Sequence, residues 1–175
     1  MRPKEQKQDR FFDDLESFEK IVLEYRENSI NFAKRYINDA QICEDIAQEA
    51  FAAVYVNRDK YNPKMSFKTW LFSIIHNKCV DYIRKNKELQ SDGIEDISRE
   101  GNEFDNLDTK ILLEHEISKL KSNYRAIIQM VDVEGMTMRE AAKVLQISEV
   151  HAWVLNYRAK KKLRKELMKG GFVYE

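Results

Sequence analysis

Residues 44–85 read EDIAQEAFAAVYVNRDKYNPKMSFKTWLFSIIHNKCVDYIRK. Ile42, Ile46, Ala50, Phe51, Val54 and Tyr55 recur at steps of three and four, which predicts a helix over about 40–57 with an inward apolar stripe. Asp45, Gln48 and Glu49 fall on neighbouring outward positions of that helix. Asn62-Pro63 is a turn signal, and the proline disfavours helix at Asn62. Ser66 can cap a further helix to about Lys87, packed through Phe67, Leu71, Ile74, Ile75 and Tyr82. A second strip on it carries Trp70, Ser73, Asn77, Asp81 and Arg84. From 58 to 87 the basic residues Arg58, Lys60, Lys64, Lys68, Lys78, Arg84, Lys85 and Lys87 meet only Asp59 and Asp81, so the segment is locally cationic.

Working outward, Phe18, Ile21, Val22, Tyr25, Ser29, Phe32, Ala33, Tyr36 and Ile37 describe one face of an earlier helix. Asn38-Asp39 supplies the break and the next cap. The start, residues 1–14, is polar and expected to fray. On the other side the composition turns acidic: QSDGIEDISREGNEFDNLD, residues 90–108, sets seven carboxylates against Arg99 alone. Segment 89–108 therefore reads as an acidic linker between a first domain over 15–88 and a second over 109–170, with a short tail at 171–175. Its plain role is a spacer; a sharper one is partial mimicry of a nucleic-acid strand.

In the second domain, periodicity returns with Ile111, Leu112, His115, Ile117 and Leu120, and Ser122 starts a helix that Glu134-Gly135 ends. Thr137 and Glu140 form a capping box for MREAAKVLQ, and Ser148 caps the last helix. Two helices joined by a turn of about three residues, the second ending basic, make a helix-turn-helix pattern. The basic end carries Arg158, Lys160, Lys161, Lys162, Arg164, Lys165 and Lys169. Such a cluster suits phosphates, although cations also complement a helix C-terminus.

Few Gly and Pro and abundant Lys, Glu, Leu, Ile and Ala favour an all-α fold of two small helical domains. The formal net charge of zero says nothing about a polyanionic partner, so the distribution of charge has to. Cys43 and Cys79 make no disulfide framework and read as buried thiols. His76 and Cys79 lie one turn apart, but no second pair completes a tetrahedral metal site, and no cofactor is expected. The charged first ten residues lack a signal-peptide core, and no apolar run approaches the roughly 20 residues of a membrane span, so a soluble, intracellular protein is expected. A recombinase-type enzyme would need a Ser or Tyr nucleophile amid Arg or metal-holding carboxylates. Tyr124 and Tyr157 have no such surroundings, and no catalytic residue is assigned.

Two blocks, FEKIVLEYRENSINFAKRYI…EDIAQEAFAAVY…SFKTWLFSIIHNKCVDYIRK and LKSNYRAIIQMVDVEGMTMREAAKVLQIS…YRAKKKLRKEL, resemble regions two and four of bacterial sigma-70 factors. With a short acidic linker in place of a third region, the layout is similar to the extracytoplasmic-function (ECF) group. The resemblance implies that Asp45, Gln48 and Glu49 dock on the clamp coiled coil of core RNA polymerase, whose flap is a second contact. It implies capture of the unpaired minus-ten strand by the loop and helix bearing Asn62, Lys64, Ser66, Lys68, Trp70, Asn77, Asp81 and Arg84. It places the minus-thirty-five duplex against Thr137, Arg139, Ser148, Glu149, His151, Asn156, Arg158, Lys161 and Lys162. It also implies promoter DNA and a cognate anti-sigma factor as partners, a stress or envelope-response regulon, and a cytoplasmic location in which that anti-sigma factor can retain the chain at a membrane. The competing reading is a helix-turn-helix regulator that acts without polymerase.

Two features depart from the family pattern. Gln146 stands where Gly is usual at the helix-turn-helix bend, and a non-Gly residue held left-handed costs roughly 1 kcal/mol. His151-Ala152-Trp153-Val154-Leu155 replaces the polar start of the recognition helix. Val154 and Leu155 cannot donate hydrogen bonds to base edges; they can meet a thymine methyl, pack inward or face a protein. The expectation is binding mainly through phosphates, with limited base reading by Glu149, His151 and Asn156.

Overall fold

The computed structural model describes residues 15–89 and 109–170. The expected frayed start, the linker over 90–108 and the tail at 171–175 lie outside the described residues. Among those described there is no strand. The first half is α1 (Leu15–Ala33), α2 (Ala40–Val56), a 3-10 turn (Arg58–Lys60) and α3 (Phe67–Leu89). The second is α4 (Thr109–Ser118), α5 (Ser122–Ile128) widening into a π-type turn (Gln129–Val133), α6 (Met138–Leu145) and α7 (Glu149–Lys169).

Apolar spacing dictates how the first half packs. The stripe of α2 buries Cys43, Ile46, Ala47, Ala50, Phe51 and Val54, while α3 buries Leu71, Phe72, Ile75 and Cys79. Phe32 of α1 stacks on Phe72 with ring centroids 4.4 Å apart and planes 12° from parallel. Burying such a ring fully contributes about 1.5–3 kcal/mol. Asp39 caps α2, its carboxylate accepting from the Ile42 N–H at 3.1 Å, and Ser66 Oγ accepts from the Thr69 N–H at 3.2 Å at the start of α3. The first helix stops at Ala33, short of the expected Ile37, because residues 34–36 tighten into a turn closed by Arg35 N–H to the Phe32 carbonyl at 3.0 Å. Leu89, assigned to the linker, is the last residue of α3.

The capping box predicted for α6 is present, with the Thr137 hydroxyl and Glu140 backbone paired and the Glu140 carboxylate accepting from Thr137 N–H. Gly135 takes a left-handed φ of +67° and ends the preceding turn as its sequence position requires. Gln146 is left-handed as well, at φ 55° and ψ 41°. Ile147 N–H closes back on the Ala142 carbonyl at 3.0 Å, satisfying the end of α6. Ser148 then caps α7 by accepting from His151 N–H at 3.1 Å.

The halves pack against each other in one continuous cluster of buried residues, α3 lying on α6. Sequence periodicity gave no sign of this. Polar bonds stitch the seam. Lys68 Nζ lies 3.1 Å from Glu134 Oε2, and Asn28 donates to the same carboxylate at 3.0 Å. Arg35 donates to both oxygens of Glu114, at 2.8 and 3.2 Å, and to Gln129 Oε1 at 2.9 Å. Arg125 in turn donates to the Arg35 carbonyl at 2.7 Å.

Within the first half, Tyr36 and His76 share a hydrogen bond of 2.9 Å between hydroxyl and Nδ1. Burial pushes the Tyr36 phenol up and the His76 imidazole down, so a neutral hydroxyl and a neutral ring share this bond. Unfolded, His76 titrates near its ordinary value of about 6.5. Between the lowered folded value and that one the unfolded chain binds more protons, so stability present above about 6.5 declines as pH falls through the folded value. The urea midpoint should be lower at pH 5.5 than at pH 7.5. The drop should shrink in His76→Gln; an undiminished drop would assign the effect to other groups.

Candidate partner and nucleic-acid interfaces

Three surfaces can be built from these elements. On α2, Asp45, Gln48 and Glu49 are all exposed. Asp45 accepts from Gln41 at 3.1 Å and Glu49 pairs with Lys78 at 3.0 Å, while a groove of about 160 Å³ beside Gln48 is lined by Val22, Arg26, Ile30 and Phe51. A row of acceptors edged by a groove presents negative charge to solvent on this face. Exposed ion pairs such as Glu49–Lys78 contribute little to stability and separate readily when a partner arrives.

The second surface runs from the loop at Asn62 along α3. Asn62 Oδ1 accepts from Lys64 N–H at 3.0 Å, forming a local turn that leaves both residues exposed. Trp70 is half-buried against Tyr61, with centroids 5.0 Å apart, and against Phe67 at 6.3 Å. It therefore serves core packing while keeping an outward edge. Farther along, Arg84 and Asp81 pair at 3.0 Å in the open.

Between these ends the strip faces the second half. Asn77 Oδ1 accepts from Gln146 Nε2 at 2.6 Å, Lys68 is held by Glu134, and Ser66 bonds Thr69 at 2.7 Å. Burial alone would raise the Glu140 carboxyl, but hydrogen bonds from the backbone and hydroxyl of Thr137, joined by Ser66 and Thr69, outweigh it and hold the group below its ordinary value. One carboxylate thus serves two helix N-termini, α6 through Thr137 and α3 through Ser66 and Thr69, where a negative charge is favoured. A cleft of about 340 Å³ lies beside it, lined by Tyr25, Phe67, Lys68, Glu134, Met136 and Glu140 among others. Ser66, Lys68 and Asn77, chosen for another purpose, therefore belong to the seam in this arrangement.

The third surface is the helix-turn-helix. Thr137, Arg139, Ser148, Glu149, His151, Arg158, Lys161 and Lys162 are exposed. Arg139 pairs with Glu149 at 3.4 Å and Lys162 with Glu166 at 3.2 Å. Asn156 is misplaced in the sequence reading: it is only 7% exposed and lies on the inward side of α7 with Ala152, Leu155 and Ala159. Helical phase puts 152, 155, 156 and 159 on one face, and that face is the packed one. Its amide oxygen is buried on that packed face without a hydrogen-bond partner, turned away from any duplex the outer face would meet.

The outward side carries Val150, Trp153, Val154 and Tyr157; the sequence marked Trp153 and Val154 as departures from the family pattern, weighed Tyr157 only as a nucleophile and left Val150 unremarked. The signal was available, since the alanines at 152 and 159 mark the close-packed face and put these four opposite. Also missed were Arg35, Glu114, Gln129 and Glu134, whose partners across the seam lie 66 to 106 residues away and leave no local pattern. His76, whose Nδ1 is taken by Tyr36, and the buried Cys79 do not present a metal pair, and no cluster of three ligating side chains exists among the described residues. Burial raises the Cys79 thiol to about 12 and Cys43 to about 11, which makes both poor nucleophiles.

Two family models match successive stretches of the chain. Sigma-70 region 2 matches residues 21–88, and Sigma-70, region 4 matches residues 110–163. The chain is 27% identical to the ECF RNA polymerase sigma factor SigW of Bacillus subtilis (strain 168), over 88% of this chain and 90% of that one. It is 26% identical to the ECF RNA polymerase sigma factor SigM of the same organism, over 85% and 93%. Among solved structures, the sigma factor RpoE in complex with the anti-sigma factor NepR from Bartonella quintana superposes with a TM-score of 0.72 at 19% identity, covering 88% of this chain and 98% of that one. CnrH in complex with the cytosolic domain of CnrY gives 0.66 at 22%, covering 90% and 91%. Those two likenesses speak to the fold.

The Asn77–Gln146 bond can be weighed against the strain at Gln146. Gln146→Gly relieves roughly 1 kcal/mol of left-handed strain but removes a hydrogen bond worth about 0.5–1.5 kcal/mol. Alone it should change stability by less than about 1 kcal/mol; in an Asn77→Ala background it should stabilise by roughly 1 kcal/mol. Urea unfolding of the four proteins checks this, and equal effects in both backgrounds would show the two side chains to be uncoupled.

Proposed function

The chain belongs to the sigma-70 family, in its extracytoplasmic-function group, and on that premise we propose that it joins core RNA polymerase, brings it to particular promoters and helps open the minus-ten element. The observation that carries this reading is the presence, in one chain and in order, of both sigma regions with an exposed Asp45–Gln48–Glu49 face on the first. Sigma factors are initiation factors: chemistry belongs to the polymerase, and this chain supplies placement and strand separation.

In this reading the α2 face docks on the basic clamp coiled coil, and the second half reaches the flap and the minus-thirty-five duplex. Asn62, Lys64, Ser66, Lys68, Trp70, Asn77, Asp81 and Arg84 receive the unpaired minus-ten strand. A freed base can be held by stacking on an aromatic ring and by an amide that both donates and accepts. Capture offsets unstacking, which costs a few kcal/mol per step. Thr137, Arg139, Ser148, Glu149, His151, Arg158, Lys161 and Lys162 surround the duplex contact, mainly through phosphates.

The docked arrangement is the resting form in this proposal. Asn77 and Lys68 are engaged by Gln146 and Glu134, so the second half has to swing away before a strand can reach them. An anti-sigma factor would act by keeping the halves together. Support comes from the two solved relatives of similar fold, each described in complex with an anti-sigma partner or a partner's cytosolic domain. A stress or envelope-response regulon belongs to the same reading, as does a cytoplasmic location with the anti-sigma factor as the link to a membrane. No helix among the described residues is long and apolar enough to cross one.

Two experiments test this. Replacing Asp45 and Gln48 together by Ala should leave the fold intact, since both are exposed, and should abolish retention on immobilised core polymerase. Retention of the double variant would remove the α2 face from the reading. Asn77→Ala should keep polymerase binding while reducing run-off transcription from duplex promoters. A chain that binds duplex DNA tightly with no polymerase present, and never redirects transcript starts, would favour the lone regulator instead.

Glu134→Ala should weaken the seam, because it leaves Lys68, Asn28 and Gln129 without their shared acceptor. The expected loss is about 1–3 kcal/mol of docking. Small-angle scattering should show a larger radius of gyration, and capture by core polymerase should become faster. Unchanged scattering and capture would deny the seam its restraining role.

A further inference from the structure

The recognition helix leaves four large apolar side chains uncovered. Val150 is 74% exposed, Trp153 58%, Val154 39% and Tyr157 67%, whereas the other aromatics among the described residues are mostly packed. Their spacing of three and four makes one stripe along the first two turns of α7, opposite the buried Ala152, Leu155, Asn156 and Ala159. Carried forward in the same helical phase, the stripe becomes Lys161, Arg164 and Lys165, all exposed. Among the described residues no ion pair engages these three cations, whereas Lys160 and Lys162 are paired with Asp132 and Glu166.

We propose that Val150, Trp153, Val154 and Tyr157 read thymine 5-methyl groups in the major groove of duplex promoter DNA, with Lys161, Arg164 and Lys165 holding the adjoining phosphates. The inference rests on the functional reading above and adds the chemistry by which the second half chooses its sequence. In the major groove thymine alone among the four bases presents a methyl group, and an apolar side chain is its natural complement. Span agrees with this placement. At about 1.5 Å of rise per residue, Val150 to Tyr157 covers about 10 Å, within a groove about 12 Å wide. The cations begin one turn later, where the helix meets the backbone.

Charge distinguishes this occupant from a protein partner. An apolar stripe for a protein ends in a polar rim of mixed sign, whereas this one runs into unpaired cations of a single sign, which suits a polyanion. Glu149, at the start of the helix, is held by Arg139 at 3.4 Å and so does not oppose a phosphate unpaired. Base reading thus passes from Asn156, which is buried, to side chains that make no hydrogen bond to bases at all, apart from the hydroxyl of Tyr157 and the indole N–H of Trp153.

Replacing thymine by uracil removes the methyl and leaves every hydrogen-bonding group in place, so it isolates the contact. Duplexes would be selected from a random-sequence pool by the full chain bound to core polymerase. The enriched upstream segment would then be rebuilt with uracil for thymine and competed against the original. Each methyl in contact should make the uracil duplex bind about fourfold more weakly, the factor that corresponds to one buried methyl-sized group of about 0.8 kcal/mol. Trp153→Ser combined with Val154→Ser should shrink the thymine–uracil difference, and adding Val150→Ser and Tyr157→Ser should erase it. Lys161→Ala should weaken both duplexes alike and flatten the salt dependence. Circular dichroism of the full chain checks that these exposed substitutions leave the fold in place. Equal binding of thymine and uracil duplexes would overturn this inference alone and leave the functional reading standing. A difference that persists in the variant with Ser at all four positions would likewise overturn it, by assigning the methyl contact elsewhere. Failure to enrich any duplex in a polymerase-dependent way would overturn the functional reading and this inference with it.

Discussion

One buried carboxylate ties the two halves to each other at the edge of their shared apolar core. The side chain of Glu134 is 4% exposed and is shared by Lys68 and Asn28 from the first half and Gln129 from its own. A buried charge is tolerated only when paired and hydrogen-bonded, so the site is coherent only when the halves are together. Separation hands Glu134 and Lys68 back to water, which solvates each of them well. That makes the seam specific without making it permanent. The ring of bonds from Arg35 to Glu114, Gln129 and the Arg125 side chain shows the same pattern.

Short-range signals in the chain were sufficient for the elements. Asp39, Ser66, Thr137 with Glu140, and Ser148 cap the helices where their residue types said they would, and Gly135 and Gln146 take the left-handed turns. These are interactions among neighbours within four residues, and a sequence displays them directly. The three exposed polar positions on α2 came from helical phase alone. What phase could not supply was the seam, because nothing local marks Asn28, Arg35 or Lys68 as partners of residues 66 to 106 positions distant.

The recognition helix shows the limit from the other side. By residue type it is more apolar than a DNA-reading surface usually is, which turned attention to the few polar side chains, Asn156 among them. Burial reversed the assignment, because the small residues Ala152 and Ala159 claim the packed face and carry Asn156 in with them. Leu155 goes inward for the same reason, and only Val154 of the pair faces out. A polar residue in sequence is a candidate for recognition only once its neighbours have decided which way it points.

The widened turn at Gln129–Val133 has a consequence for how the protein tolerates change in length. There Glu134 N–H reaches back five residues to the Gln129 carbonyl at 2.9 Å, so one extra residue is accommodated in the coil. Each residue of helix turns the downstream chain by about 100°. The widened turn absorbs that extra residue within the coil, and at its end Glu134 still meets Lys68 at 3.1 Å. Spacing within those five positions, together with the Gln129 side chain that bonds both Arg35 and Glu134, is therefore the heritable quantity that keeps the two halves in register.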